Sequence, residues 1–357
     1  MMTDALHVLH ICRRFGPVGG MERYVWELTQ ALVMLGHRVE ILCEVNLCES
    51  SPEGMVIHEL GEVHPKPRWL AHLRFSRRVH AWLITNPNAK RIIHSHERTE
   101  DHHITTFHGP PYAAVWQLPF WKRISLRVAM NLWLEKRELC GLQVRQVIPN
   151  SSHIRQQLLH YYPEVAGVMS NPIAPGVSPC QARPERKIDE QAGVVGFIGK
   201  EWKRKGLEHA IVVMKKLVDI RPNVTFLVAG FDGAEAQHLF QGVTFSYQLL
   251  GQVISDTFYA QLDVLLHPAL KEPYGMVITE ALSAGVAVVV SDVCGAADDI
   301  DADFGKVLSL HDNAFVWAQA MDAQLKQDDV VITYQRSWQD VALEHTPIYQ
   351  MIQQDIS

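Results

Sequence analysis

Short apolar runs alternate with longer stretches of helical periodicity along this chain. Leu6 to Cys12 and Val39 to Cys43 are runs of strand length, and between them, from about Met21 to Leu35, apolar residues recur at helical spacing. The pattern predicts a β-loop-α-β opening. Ile92-Ile93-His94-Ser95-His96-Glu97 reads as a strand end, Ile104 to Phe107 as a β-branched strand, and Val144 to Pro149 as another, followed by Asn150-Ser151-Ser152, which can cap a helix from His153. The second half restarts the alternation. Strands are predicted at Gly193 to Ile198, Val224 to Ala229, Phe245 to Leu250, Val264 to His267 and Val286 to Val290, with a helix at Leu207 to Val218. Between the two series, Pro175 to Gln191 is polar and carries prolines, as a linker does. Strands alternating with helices imply parallel sheets. Two series joined by a linker therefore predict an α/β protein of two Rossmann-like domains facing across a cleft.

One stretch departs from this regularity. From Tyr112 to Leu139 aromatic, basic and aliphatic residues interleave, and Trp121, Ile124, Val128, Leu132 and Leu139 fall near one helical face with Lys122, Arg123 and Arg127 on its flanks. That is the profile of an interfacial helix drawn to anionic lipid. Ordinary packing of a long helix explains the apolar stripe equally well.

Composition narrows the class. With 357 residues, 47% hydrophobic and 20% charged, the chain suits two globular domains and excludes disordered or fibrous types. The net charge of -6 hides an asymmetry, because residues 66–145 hold 14 Lys+Arg against 5 Asp+Glu. An anionic partner is expected there, and an anionic membrane surface fits. Nucleic acid is not expected, since no binding module is recognisable and the domain is not strongly basic overall. The six cysteines form no C-x-x-C pair and lack the density of a secreted scaffold, so reduced thiols in a cytoplasmic setting are expected. Neither a signal-peptide layout nor an apolar stretch near the roughly 18 to 20 residues of a membrane span is present. Any membrane contact is expected to be peripheral, at the inner face of the cytoplasmic membrane.

The candidate chemistry centres on Glu272-Pro273-Tyr274-Gly275-Met276-Val277-Ile278-Thr279-Glu280, a tight loop entering a helix, with one carboxylate in the loop and another eight residues on. Gly275 leaves the first helical amides open, which suits a phosphate. Two carboxylates beside an anion site make sense when they face sugar hydroxyls. The loop Gly199 to Gly206 adds four cations, Lys200, Lys203, Arg204 and Lys205. In the first half, the loop Arg13 to Gly20 has glycines that do not fit G-x-G-x-x-G, although they permit close approach to a ligand at a strand end; a turn that simply needs glycine accounts for them as well. His94-x-His96 with Asp101-His102 approaches a metallo-hydrolase pattern, but Arg98-Thr99 occupy the ligand places and no metal is expected. His108 ends the β-branched run before Gly109-Pro110-Pro111, at the mouth of a strand where ligands bind; taken alone, a structural role is the commoner one.

Taken together, G-G-M-E-R-Y-V-W-E-L from Gly19, T-F-H-G ending at Gly109, F-I-G-K-x4-K-G ending at Gly206, L-L-G-Q-V ending at Val253, and E-P-Y-G-M-V-I-T-E-A-L-S-A-G from Glu272 resemble the family 4 retaining glycosyltransferases of GT-B fold. The likeness runs from about residue 6 to 349, and the short connection between His96 and His108 looks most like the lipopolysaccharide-core branch. The resemblance implies an acceptor-binding domain over 1–175, a nucleotide-sugar-binding domain over 176–335, and a closing helix over 336–357 that returns to the first domain. It implies transfer of a hexose, with retention, from a UDP- or GDP-sugar to a hydroxyl of a lipid-linked, core-oligosaccharide or polysaccharide acceptor, without metal or cofactor. Gly19 and Gly20 would lie under the donor diphosphate. Lys200 and Lys205 would neutralise it, Lys200 standing where the family usually has Arg. Glu272 would bind hydroxyls of the transferred sugar and Glu280 the ribose; Gly275, Met276 and Val277 would meet phosphate or sugar, and Gln252 and Val253 would border the base. His108 would position the donor sugar or stabilise charge near its anomeric carbon. A nucleotide-sugar epimerase of the same architecture and an inactive nucleotide-sugar-binding subunit are the competing readings. The first needs its own acid and base for elimination, and the second requires none of these residues.

Overall fold

The computed structural model describes residues 5–48, 52–185, 187–253, 255–327 and 331–356. Its elements run β1 (His7–Phe15), α1 (Met21–Met34), β2 (Arg38–Asn46), β3 (Met55–Glu59), α2 (Arg68–Thr85), β4 (Ile92–Ser95), β5 (Ile104–Phe107), α3 (Phe120–Arg123), α4 (Leu126–Cys140), β6 (Gln146–Pro149) and α5 (Ser152–Tyr161). They continue with β7 (Ala192–Ile198), α6 (Leu207–Leu217), β8 (Asn223–Ala229), β9 (Ser246–Gly251), α7 (Ser255–Tyr259), β10 (Val264–His267), α8 (Met276–Ser283), β11 (Ala287–Ser291), β12 (Gly305–Leu308), α9 (Ala314–Gln324) and α10 (Trp338–Ile356). The chain divides into two compact units, one of residues 1–176 with 337–357 and one of 177–336.

In the first unit six strands lie in the order β3-β2-β1-β4-β5-β6, and every pairing is parallel. Parallel strands need crossovers, and helices supply them, which is why the apolar runs lack the alternation of a half-wet sheet. α1 turns Val25, Leu28 and Leu32 inward at helical spacing. α10 does the same with Trp338, Val341, Ala342, His345, Tyr349 and Ile352, and it packs against α1 and β4. The apolar face of α10 and its one histidine, His345, therefore belong to the core of the first unit, although the whole second unit, 177–336, lies between them and the rest of it.

The second unit repeats the plan with the order β12-β11-β10-β7-β8-β9, again parallel throughout. α6 buries Leu207, Ala210, Ile211, Met214 and Leu217 against it, and Trp317 and Met321 of α9 complete the same cluster. Burying each such aliphatic side chain contributes roughly 1.5–3 kcal/mol before entropy is counted. The sheet is thus a rigid floor from whose carboxyl edge the loops project.

The segment after His108 differs from the expected single helix. It forms a 3-10 turn at Tyr112–Gln117, the one-turn α3, and only then α4. Pro119 precedes α3, and Ser125 caps α4 by accepting a hydrogen bond from the Val128 amide at 3.2 Å. The apolar stripe splits accordingly. Val128 and Leu139 are buried, whereas Trp121 and Ile124 are 64% and 75% exposed. Phe120 and Leu126, at 66% and 69%, join the exposed set.

Candidate active site

Every candidate residue follows a strand's carboxyl end, the edge at which open parallel sheets bind ligands. In the second unit the glycine-cation loop follows β7. Gly199 is held close: a Cβ there would stand 2.9 Å from Lys205 Cγ, so the lysine stem lies directly over it. Gly206 adopts φ +81° and begins α6, with no room for a side chain against the Pro268 carbonyl. These constraints fix Lys205 above the sheet edge. Lys200, by contrast, is exposed and makes no ion pair among the described residues.

Glu272 lies in the loop after β10, buried, and Lys205 Nζ is ion-paired with it. His267 Nε2 stands 3.4 Å and Arg204 Nη1 3.5 Å from the same carboxylate oxygen. Burial pushes the Glu272 carboxyl up, but the His267 hydrogen bond and the Lys205 charge outweigh it and hold the group at about 2. It is therefore ionised at every physiological pH. Gly275 takes φ +99° at the start of α8 and offers no side-chain cap, so the helix entrance is shaped by backbone alone. Met276 and Val277 open α8, whose eight residues carry Glu280 inward. Glu280 is buried and accepts a hydrogen bond from Tyr259 Oη at 2.7 Å. Tyr274 is tied to Asp299 at 2.8 Å and to Tyr334 at 3.0 Å, anchoring the turn between the two glutamates. Gln252 and Val253 follow β9, next to Gly251, whose carbonyl accepts from the Gly230 amide at 2.7 Å.

In the first unit Gly19 has φ +70°, and Gly20, at the start of α1, has open space where a Cβ would be. His108 follows β5. Its Nε2 shares a hydrogen bond of 2.9 Å with His96 Nδ1, and the Tyr24 ring stands edge-on to it with centroids 4.7 Å apart. His96 Nε2 in turn meets His10 Nδ1 at 3.0 Å. His10 and His94 are register partners on neighbouring strands, so their side chains share a face of the sheet. His94 is held at 2.8 Å by both the Tyr349 hydroxyl and Thr106 Oγ1. On α10, His345 donates from Nδ1 to the Val341 carbonyl at 2.8 Å and meets the Tyr24 hydroxyl at 3.5 Å. Burial holds His10 and His108 down at about 3, and holds His94 and His96 well below their ordinary range; all four are neutral at pH 7.

Sequence reasoning singled out His108, Lys205, Glu272 and Glu280 but not the partners that set their state. His267 and Tyr259 are the missed residues of the second unit, and His10, His96, Tyr24 and Tyr349 those of the first. His10, His94 and His96 bring ring nitrogens within 4.8 Å of one another, a ligand-like spacing that uses a β1 residue absent from the H-x-H pattern. Most of those nitrogens are already engaged, His10 Nδ1 with His96 and both nitrogens of His94 with hydroxyls.

Comparison with known proteins agrees with this geometry. Residues 18–176 match the family described as Glycosyltransferase Family 4, and residues 181–338 match Glycosyl transferases group 1. An uncharacterised glycosyltransferase of Methanocaldococcus jannaschii is 24% identical, the alignment covering 94% of this chain and 95% of that one. The phosphatidyl-myo-inositol mannosyltransferase of Mycolicibacterium smegmatis is 26% identical over 90% of this chain and 84% of its own. The lipopolysaccharide glucosyltransferase WaaG of Escherichia coli is 33% identical over 36% of each chain. Among solved structures, WaaG superposes with a TM-score of 0.73 at 18% identity, covering 98% of this chain and 99% of that one, and the GT-B architecture is shared. Two glycosyltransferase family models thus account for nearly the whole of a chain built on two parallel six-stranded sheets, and the chain belongs to the family 4 glycosyltransferases.

Proposed function

We propose that the chain is a retaining hexosyltransferase that uses a UDP- or GDP-sugar and modifies a lipid-linked, lipopolysaccharide-core or polysaccharide acceptor at an anionic membrane surface. The observation that carries the reading is the buried Glu272, ionised and held by Lys205, His267 and Arg204 at the carboxyl edge of the second sheet. A charged pair at a ligand edge is poised for exchange: a donor diphosphate attracts Lys205, and the carboxylate turns to the sugar hydroxyls. Lys200, exposed and without an ion pair among the described residues, adds a second cation for the diphosphate. Gly19 and Gly20 give the diphosphate a backbone to lie against, Glu280 takes the ribose hydroxyls, and Gln252 and Val253 border the base.

In the reaction the acceptor hydroxyl oxygen forms a bond to the anomeric carbon while the bond from that carbon to the diphosphate oxygen breaks. The electron pair leaves with the diphosphate, whose growing charge Lys205 and the first amides of α8 stabilise, and the acceptor proton passes to the departing phosphate oxygen. Because protein cations do this work, neither metal nor cofactor is required. Attack from the face of the departing group retains configuration, and Glu272 orients the sugar without becoming a nucleophile.

Support for the acceptor class comes from the lipid and lipopolysaccharide substrates in the names of two relatives. The exposed Phe120, Trp121, Ile124 and Leu126 beside Lys122, Arg123 and Arg127 suit a peripheral membrane contact at the cytoplasmic face. No helix among the described residues is long and apolar enough to cross a membrane. The test is a panel of UDP- and GDP-sugars with the purified protein, lipid-linked and core-oligosaccharide acceptors, and a chelator present. Expected is an α-linked product from an α-linked donor, lost in Glu272→Ala. An epimerised donor without transfer would replace this reading with the epimerase.

A further inference from the structure

The three imidazoles of His10, His96 and His108 stand in a row, joined by bonds of 3.0 Å and 2.9 Å. Each bond links the Nδ1 of one ring to the Nε2 of another. A neutral imidazole has one N–H and one lone pair, and burial keeps these rings neutral at pH 7. Both bonds form only if all three rings carry the same tautomer, either all Nδ1–H, donating from His10 toward His108, or all Nε2–H, donating the other way.

The far end of the row chooses between them. His10 is fully buried, and its Nε2 has no hydrogen-bond partner among the described residues. The Nε2–H arrangement would strand a buried N–H donor there, whereas the Nδ1–H arrangement leaves only a lone pair. Orphaned buried N–H groups are the rarer and costlier case. At the near end, His108 is partly exposed, and its Nδ1 has no protein partner among the described residues.

We infer that His10 and His96 are positioning residues that lock His108 in its Nδ1–H tautomer, so that it presents a neutral hydrogen-bond donor to a hydroxyl of the transferred sugar. The row thereby reverses the Nε2–H preference of an unconstrained histidine side chain. Of the two roles open to His108, holding the sugar survives and stabilising positive charge at the anomeric carbon does not, because an N–H dipole aimed at that carbon would oppose the charge. The ligand named here rests on the transferase reading; the tautomer does not.

Nitrogen NMR on the full chain labelled with 15N-histidine, without substrate at pH 7.5, reads the tautomer directly, and His108→Gln assigns the His108 signals by their loss. Expected is a protonated Nδ1 and an unprotonated Nε2 on His108. His96→Phe removes the donor and should return His108 toward Nε2–H, lowering kcat about tenfold, the weight of one hydrogen bond, with KM for the acceptor unchanged. His96→Asn, whose amide N–H replaces the Nδ1–H, should restore both. A wild-type His108 protonated on Nε2 overturns the inference, and that spectrum decides even if His96→Phe does not fold. An unchanged His108 tautomer in a folded His96→Phe overturns it equally. If the tautomer is as expected but no nucleotide sugar supports transfer, the transferase reading fails and the tautomer assignment stands.

Discussion

The two units share one plan and furnish their ligand edges in opposite ways. The second holds an ionised carboxylate between two cations, Lys205 and Arg204, with the imidazole of His267 beside it, so its site is a set of opposed charges. The first holds four neutral histidines linked through rings and hydroxyls. Charged pairs can be exchanged for a charged ligand with little reorganisation, as a nucleoside diphosphate demands. Neutral donors hold direction instead, as a sugar hydroxyl demands.

Breaking the charged half should have the largest effect. Glu272→Ala leaves Lys205 without its counter-charge and the sugar without its acceptor, and transfer should fall on the order of 10³-fold with far-ultraviolet circular dichroism unchanged. Lys200→Ala should cost far less than Lys205→Ala in the same assay, because an exposed cation is solvated and screened whereas Lys205 is fixed over Gly199.

Membrane attachment sharpens the contrast from outside the sites, since the exposed aromatic and basic segment belongs to the first unit alone. Replacing Lys122, Arg123 and Arg127 together by Ala should weaken partition onto anionic vesicles by about 10²-fold at low salt, at roughly 1 kcal/mol per cation. Binding that ignores both these changes and added salt would remove the membrane from the account.

Acid separates the units in stability. His10 and His108 sit at about 3 against an ordinary 6.5, so between those values the unfolded chain takes up protons that the folded unit refuses. That stability is complete above pH 6.5 and is lost as pH falls, at about 1.4 kcal/mol per pH unit for each such histidine. Glu138 works the other way: burial pushes its carboxyl up to about 8, and it is one group against the four of the cluster. Glu272, held at about 2 against 4.5, keeps its contribution until pH falls below 4.5. Hydrogen exchange at pH 5.5 should therefore show amides of β1 and β4 losing more protection relative to pH 7.5 than those of β10 and α8, where the buried His267 is the one imidazole held below its ordinary range.

The smallest effect is expected at the ribose end. Tyr259→Phe removes the hydrogen bond to Glu280 and should raise KM for the donor several-fold without altering kcat.

Much of the frame was legible in the residues. Glycine and proline punctuation, together with unbroken apolar runs, predicts parallel sheets, and the positions that must be glycine mark the ligand edge. What stayed hidden depends on register and distance. Nothing local says that His10 will stand beside His94, because that follows from how β1 pairs with β4, nor that Tyr349 will reach His94 from 255 residues away. The bond between Lys205 and Glu272 spans 67 residues, so each was visible as a ligand group and neither as the other's partner. The break in the aromatic segment was different. Pro119 and the capping Ser125 were in view, and the 3.6-residue period of the apolar stripe outweighed them.

The place of α10 in the chain carries a consequence for biosynthesis. A ribosome delivers the second unit whole before the helix that completes the first. Until residues 338–356 emerge, the first sheet lacks the Tyr349 hydroxyl and the apolar ridge that cover His94, and its histidine face meets water. Order of maturation thus inverts order of translation: the later-made unit closes first, and the earlier one waits for α10.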